Sequence, residues 1–161
     1  MSAATEHQPS DSRDHRAGHV TEPPEPAGAA ARTGGYVGGA VANVLMLVLV
    51  NRWPGWEVVP FLTDQMPLVL GLVNATFVVA IVVNLVLAVG DPPRLKALGD
   101  LAIAGVGSAA LLRIWQVFPF DVHGTVWETV IRVLLVVGLV GSGIAILVAL
   151  VRLVRGGRNG T

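Results

Sequence analysis

The chain has 161 residues and a mean hydropathy of +0.65, and only 14% of its residues are charged, against about 25% in an ordinary soluble domain. Eleven basic residues balance eleven acidic ones, so no net field favours nucleic acid. The absence of cysteine excludes disulfides, thiol catalysis, Cys-ligated zinc and iron–sulfur clusters together.

Residues 1–33 form a polar segment rich in Ser, Pro, Glu, His and Ala. Such a composition buries too little apolar surface to offset its ordering entropy. It reads as a disordered cytoplasmic tail, and no apolar stretch follows a short basic start as in a signal peptide. His15 and His19 stand four apart within it and would share a face only in a helix.

Residues 34–155 hold four apolar runs, at about 36–52, 67–90, 97–118 and 126–152. A hydrocarbon core of roughly 30 Å needs about 20 mostly apolar residues per helix. The expected fold is therefore all-α, an integral membrane bundle of four antiparallel transmembrane helices. No length remains for a second folded domain. The first run ends at Arg52-Trp53-Pro54-Gly55-Trp56, where Pro and Gly stop a helix and Trp suits the headgroup region. Pro67 opens the second run at a position where its missing N–H costs nothing. Asp91-Pro92-Pro93 reads as a tight turn, with Asp91 as the cap of the third helix. The centre of that helix, Ala102 to Ala110, is nearly all small residues and suggests a central position in the bundle. The fourth run leads into Arg152, Arg155 and Arg158, before a short cytoplasmic end at 156–161.

Basic residues decide the orientation. Arg13, Arg16 and Arg32 lie in the tail, Arg94 and Lys96 at the second turn, and three Arg near the C-terminus; the other two loops hold only Arg52. Ten of the eleven basic residues are Arg, which with the Val, Ala and Gly bias points to a bacterial source; both ends are expected in the cytoplasm of such a cell, with the loops at 56–65 and 121–125 outside. A faint repeat sets Arg52-Trp53 before Pro60-Phe61, and Arg113-Ile114-Trp115 before Pro119-Phe120.

Polar and small residues within the spans carry the functional expectations. Gly34/Gly38 and Gly35/Gly39 form overlapping GxxxG patterns, Gly105/Ala109 and Gly138/Ser142 repeat the spacing, and such pairs favour close helix packing in lipid. They fit packing within the chain, or the face of a homo-oligomer or of a membrane-protein partner. Asn43, Asn74 and Asn84 lie inside spans and Asn51 at the end of one, and these amides are expected to bond between helices. Arg113 and Arg132 lie one to two turns inside the outer ends of the third and fourth helices. Glu128 precedes Arg132 by four residues in the favourable order. With Asp121 and Glu57 from the loops they form a candidate polar site, read either as a pocket for an anionic group or as a structural ion pair with snorkelling Arg.

Absences narrow the function. The spans hold no His pairs for haem, no metal-ligand cluster is visible, and no HExxH, GxSxG or phosphate-binding glycine loop occurs. No cofactor and no enzymatic activity are expected. The lead expectation is a non-enzymatic accessory or scaffold protein acting through contacts within the membrane. The alternative is a small transporter or ligand-binding protein that recognises an anionic group at the outer half. The segments Asn51–Trp56, Asp91–Asp100 and Val117–Asp121 resemble a family of small four-span actinobacterial membrane proteins without an assigned activity. The resemblance covers about Val41 to Arg155; it implies a four-span bacterial membrane protein and transfers no functional residue.

Overall fold

A computed structural model describes residues 27–158, and within them the fold is all-α. The helices are α1 (Ala27–Asn51), α2 (Pro67–Val89), α3 (Pro93–Val117) and α4 (Val126–Arg158), with a 3₁₀ turn at Trp56–Val58. All four helices are long and apolar enough to cross a membrane.

The helix ends follow local chemistry, with two departures from expectation. Helix α1 begins at Ala27, so residues 27–33, expected in a disordered tail, are helical. Four of these seven are alanine, the best helix former. The expected disorder of residues 1–26 concerns a segment outside the described residues. Helix α3 is capped by Pro92 in an extended conformation with no side-chain cap bond. Asp91 therefore does not cap it; its carboxylate lies 3.6 Å from Arg32 of α1. At the other end of α3, Phe118 takes a left-handed conformation (φ 46°) and its N–H donates to the Ile114 carbonyl at 2.7 Å. That position usually falls to Gly or Asn, and a side chain there costs roughly 1–3 kcal/mol. Burial of Phe118 and of the following Pro119 helps to offset the cost.

Specific contacts fix the register. Between α1 and α2, Asn51 meets Asn74 while Gly39 meets Asn84. Between α2 and α3, Leu68 meets Arg113 while Val83 meets Gly99. Between α3 and α4, Leu111 meets Gly138 while Asp100 meets Arg152. In each pair of helices one number rises as the other falls, so neighbours run antiparallel. The two connecting segments that follow α1 and α3 lie at one end, called here the Phe118 end. The α2–α3 turn lies at the opposite, Asp91 end.

The four helices pack as a row, α1 on α2, α2 on α3 and α3 on α4, and α1 does not touch α4. The bundle is thus open. Helices α2 and α3 have neighbours on both sides, whereas α1 and α4 form the edges. Six of the ten buried apolar residues are alanines: Ala40, Ala80, Ala97, Ala104, Ala110 and Ala149. Small residues let helix backbones approach closely, which is how apolar helices associate when lipid removes the hydrophobic drive. Gly39 and Gly99 sit against side chains of α2: a Cβ on Gly39 would lie 2.9 Å from the Asn84 amide oxygen, and one on Gly99 2.5 Å from Val83 Cγ1.

Candidate functional site

The Phe118 end is organised by pairing between its two loops. Leu62 and Phe120 form an isolated antiparallel bridge, with Thr63 N–H donating to the Pro119 carbonyl and Asp121 N–H to the Phe61 carbonyl, at 3.1 and 2.9 Å. The two Pro-Phe segments of the sequence repeat therefore lie against each other. This pairing holds Asp121 at the start of the α3–α4 loop and anchors the turn that carries His123 and Gly124.

Glu128 is the hub of the site. Its Oε1 accepts from Arg132 Nε and Nη2 at 3.2 and 3.0 Å, a two-pronged bond to one oxygen. Its Oε2 accepts from the Gly124 backbone N–H at 3.0 Å and lies 3.9 Å from His123 Nδ1. Both carboxylate oxygens are engaged, and one bond ties the first turn of α4 to the loop before it. The pair is half-buried, and charge pairing at this spacing on one helix makes a modest contribution.

Arg132 gains more from the rings beneath it. Its guanidinium carbon lies 4.4 Å from the centroid of the Phe118 ring, at the C-cap of α3, and 5.3 Å from that of Trp115 in α3. Phe118 in turn meets Phe120 edge-on at 5.3 Å and His123 at 5.6 Å. The planar guanidinium suits stacking of this kind, worth about 0.5–1 kcal/mol per ring at exposed sites and more when desolvated. Arg132 thus joins α4 to α3, engaged by one carboxylate through Nε and Nη2 and by two rings.

The remaining candidates lie apart from this hub. Arg113 faces the opposite neighbour: its Nε donates to the Leu68 carbonyl in the first turn of α2 at 3.3 Å. Glu57 is exposed in the 3₁₀ turn. Among the described residues neither Glu57 nor Asp121 forms an ion pair. The structure therefore brings together Glu128 and Arg132 out of the five candidates. It adds Trp115, Phe118, His123 and Gly124. A Thr-x-x-Glu spacing at Thr125 and Glu128 signals a carboxylate that reaches back over a helix start. Nothing in the spacing signals the Leu68 carbonyl.

The membrane-span amides divide into two kinds. Asn51 and Asn74 bond to each other between helices. Asn43 and Asn84 instead donate back to Gly39 and Ala80 of their own helices, each at 2.8 Å. At the Asp91 end a second set of charges is paired. Asp100 lies 3.6 Å from Lys96 of its own helix and 3.6 Å from Arg152 of α4.

Asn51 with Asn74, Arg113 with Leu68, Arg132 with the α3 rings and Asp100 with Arg152 each close a contact between elements. No cluster of three His, Cys, Asp or Glu able to hold a metal occurs among the described residues. No protein-family model, curated protein or solved structure matches the chain.

Proposed function

We propose that the chain is a multi-pass protein of the bacterial cytoplasmic membrane, with both ends cytoplasmic, that acts as a non-enzymatic scaffold or accessory subunit through helix contacts inside the bilayer. The observation that carries this reading is the open row. Its edge helix α1 exposes Gly34, Gly35 and Gly38, and a Cβ at any of them would meet nothing within 4 Å. The chain leaves unused the surface that most favours close helix association in lipid. Helix α3 repeats the pattern with Ala102, Gly105 and Ala109, all exposed along one face. The alternative, recognition of an anionic group at Arg113 and Arg132, has less support, since Arg132 is engaged by Glu128 and two rings and Arg113 by a backbone carbonyl.

The chain contains no cysteine, so single labels test this directly. A photoactivatable label on Ala42→Cys, or separately on Ala102→Cys, would be illuminated in native membranes. The expected result is a discrete protein adduct, either a second copy or another membrane protein. The adduct at position 42 should vanish with Gly34→Leu and Gly38→Leu, and that at position 102 with Gly105→Leu. Adducts to lipid alone at both positions would overturn the reading.

A further inference from the structure

An open groove of about 640 Å³ runs along the Asp91 half of the row, walled by α2, α3 and α4. Thr76, Gly107, Gly141 and Ala145 line its depth, and Asp100 and Arg152 stand at its mouth. By helical period this is the face of α3 opposite to Ala102, Gly105 and Ala109, so the groove is separate from the surfaces assigned to protein contacts. It is also separate from the Arg132 site at the other end.

We propose that the groove binds one anionic phospholipid, with an acyl chain along the small-residue floor and the phosphate at Arg152, Arg155 and Lys96. Three features select this occupant. The first is length. On α4 the lining runs from Gly141 to Arg152, about 16 Å at 1.5 Å per residue. That is close to half of a roughly 30 Å hydrocarbon core, the depth of one leaflet. The second is polarity, because the deep part is walled almost entirely by apolar and small residues and the charges stand only at the end. The third is charge. Asp100 faces two cations, Lys96 and Arg152, each at 3.6 Å. Arg155, three residues beyond Arg152, is exposed and continues the same helix face. The mouth therefore carries three positive charges against one negative, which complements a phosphate. Basic pockets between helices at a membrane surface recognise anionic headgroups in this way. The volume lies in the range of small-molecule sites, roughly 300–1,000 Å³.

The inference rests on membrane insertion but not on the partner-helix reading, so the two fail separately. The test is native mass spectrometry of the full chain in detergent, titrated with phosphatidylglycerol or with phosphatidylcholine. Wild type should retain one phosphatidylglycerol and prefer it by about 5-fold or more per basic side chain engaged. Gly107→Leu with Gly141→Leu fills the groove; a Cβ at either glycine meets nothing within 4 Å, so thermal unfolding should stay near wild type while the bound lipid is lost. Arg152→Gln with Arg155→Gln should keep the groove but bring the two lipids toward equal affinity, Lys96 still answering Asp100. Equal retention of both lipids by wild type would overturn the proposal. So would unchanged phosphatidylglycerol binding in the filled-groove variant. Loss of a dimer in that variant with lipid retained would assign the groove to a second copy instead.

Discussion

Asn51 and Asn74 exchange two hydrogen bonds, each side-chain amide donating to the other's carbonyl oxygen at 2.8 and 2.7 Å. The pair clamps the end of α1 to α2, and Asn51 donates as well to the Leu47 carbonyl of its own helix at 2.8 Å. Removing one amide leaves the other without its partner across the helices. Asn51→Ala and Asn74→Ala should each lower stability in detergent, and the double variant should lose less than the sum. The coupling expected from a double-mutant cycle is about 0.6–2 kcal/mol. Denaturant titration followed by tryptophan fluorescence reads it. Strict additivity would show that the two amides act independently.

Arg132 and Glu128 make a second coupled pair with a different signature. Arg132→Leu strands a carboxylate near the membrane and removes the cation from the Phe118 and Trp115 rings. Arg132→Leu with Glu128→Leu leaves no unpaired charge. The double variant is therefore expected to be more stable than Arg132→Leu alone, although it also loses the Gly124 bond. Arg132→Lys should fall between wild type and Arg132→Leu, because it keeps the charge and loses the planar stacking. Thermal unfolding of the four proteins orders them. A double variant less stable than Arg132→Leu would mean that Glu128 stabilises the turn independently of Arg132.

The spans were legible because four apolar runs of membrane length are hard to mistake, and Pro54, Pro67 and Pro92-Pro93 punctuate them. The start of α1 was not, because the polar residues 1–26 dominate the look of the whole segment and hide a short alanine run with good helix propensity. The row-like packing was not legible either. In a soluble helix the polar face marks the outside, but here lipid makes the outside as apolar as the inside. Val44, Leu45, Val82, Val137 and Leu147 are all exposed, and nothing in their type distinguishes them from Val69 or Leu135, which are buried. The Glu128–Arg132 pair was readable from its spacing alone. The rings under Arg132 and the Leu68 carbonyl beside Arg113 lie on other helices, at separations that depend on the register between them.

Orientation can be checked without any structural assumption. In the proposed orientation, argued from the asymmetry of basic residues, the α2–α3 turn is cytoplasmic. Gln65→Cys and Lys96→Cys, made singly in the cysteine-free chain, should differ toward an impermeant thiol reagent added to intact cells. Gln65→Cys is expected to label and Lys96→Cys to label only after permeabilisation. The reverse pattern would invert the topology and would place the phospholipid groove in the opposite leaflet.

The seat of Gly99 against Val83 gives a sharp test of the packing of α2 and α3. A Cβ on Gly99 would stand 2.5 Å from Val83 Cγ1, well inside van der Waals contact. Valine is stiff at χ1 and cannot swing its methyl away without cost. Gly99→Ala should therefore destabilise the chain by about 1–3 kcal/mol, the usual penalty of overpacking, although alanine is the better helix former by about 1 kcal/mol. Val83→Ala removes the clashing methyl, so Gly99→Ala with Val83→Ala should recover most of the loss. Gly105 lies six residues further along the same helix, and a Cβ there meets nothing within 4 Å. Gly105→Ala should be neutral or stabilising in the isolated chain. Denaturant titration of the four variants separates helix propensity from packing. Equal effects of Gly99→Ala and Gly105→Ala would mean that α2 and α3 do not meet at Gly99, and the register of the row would have to be redrawn.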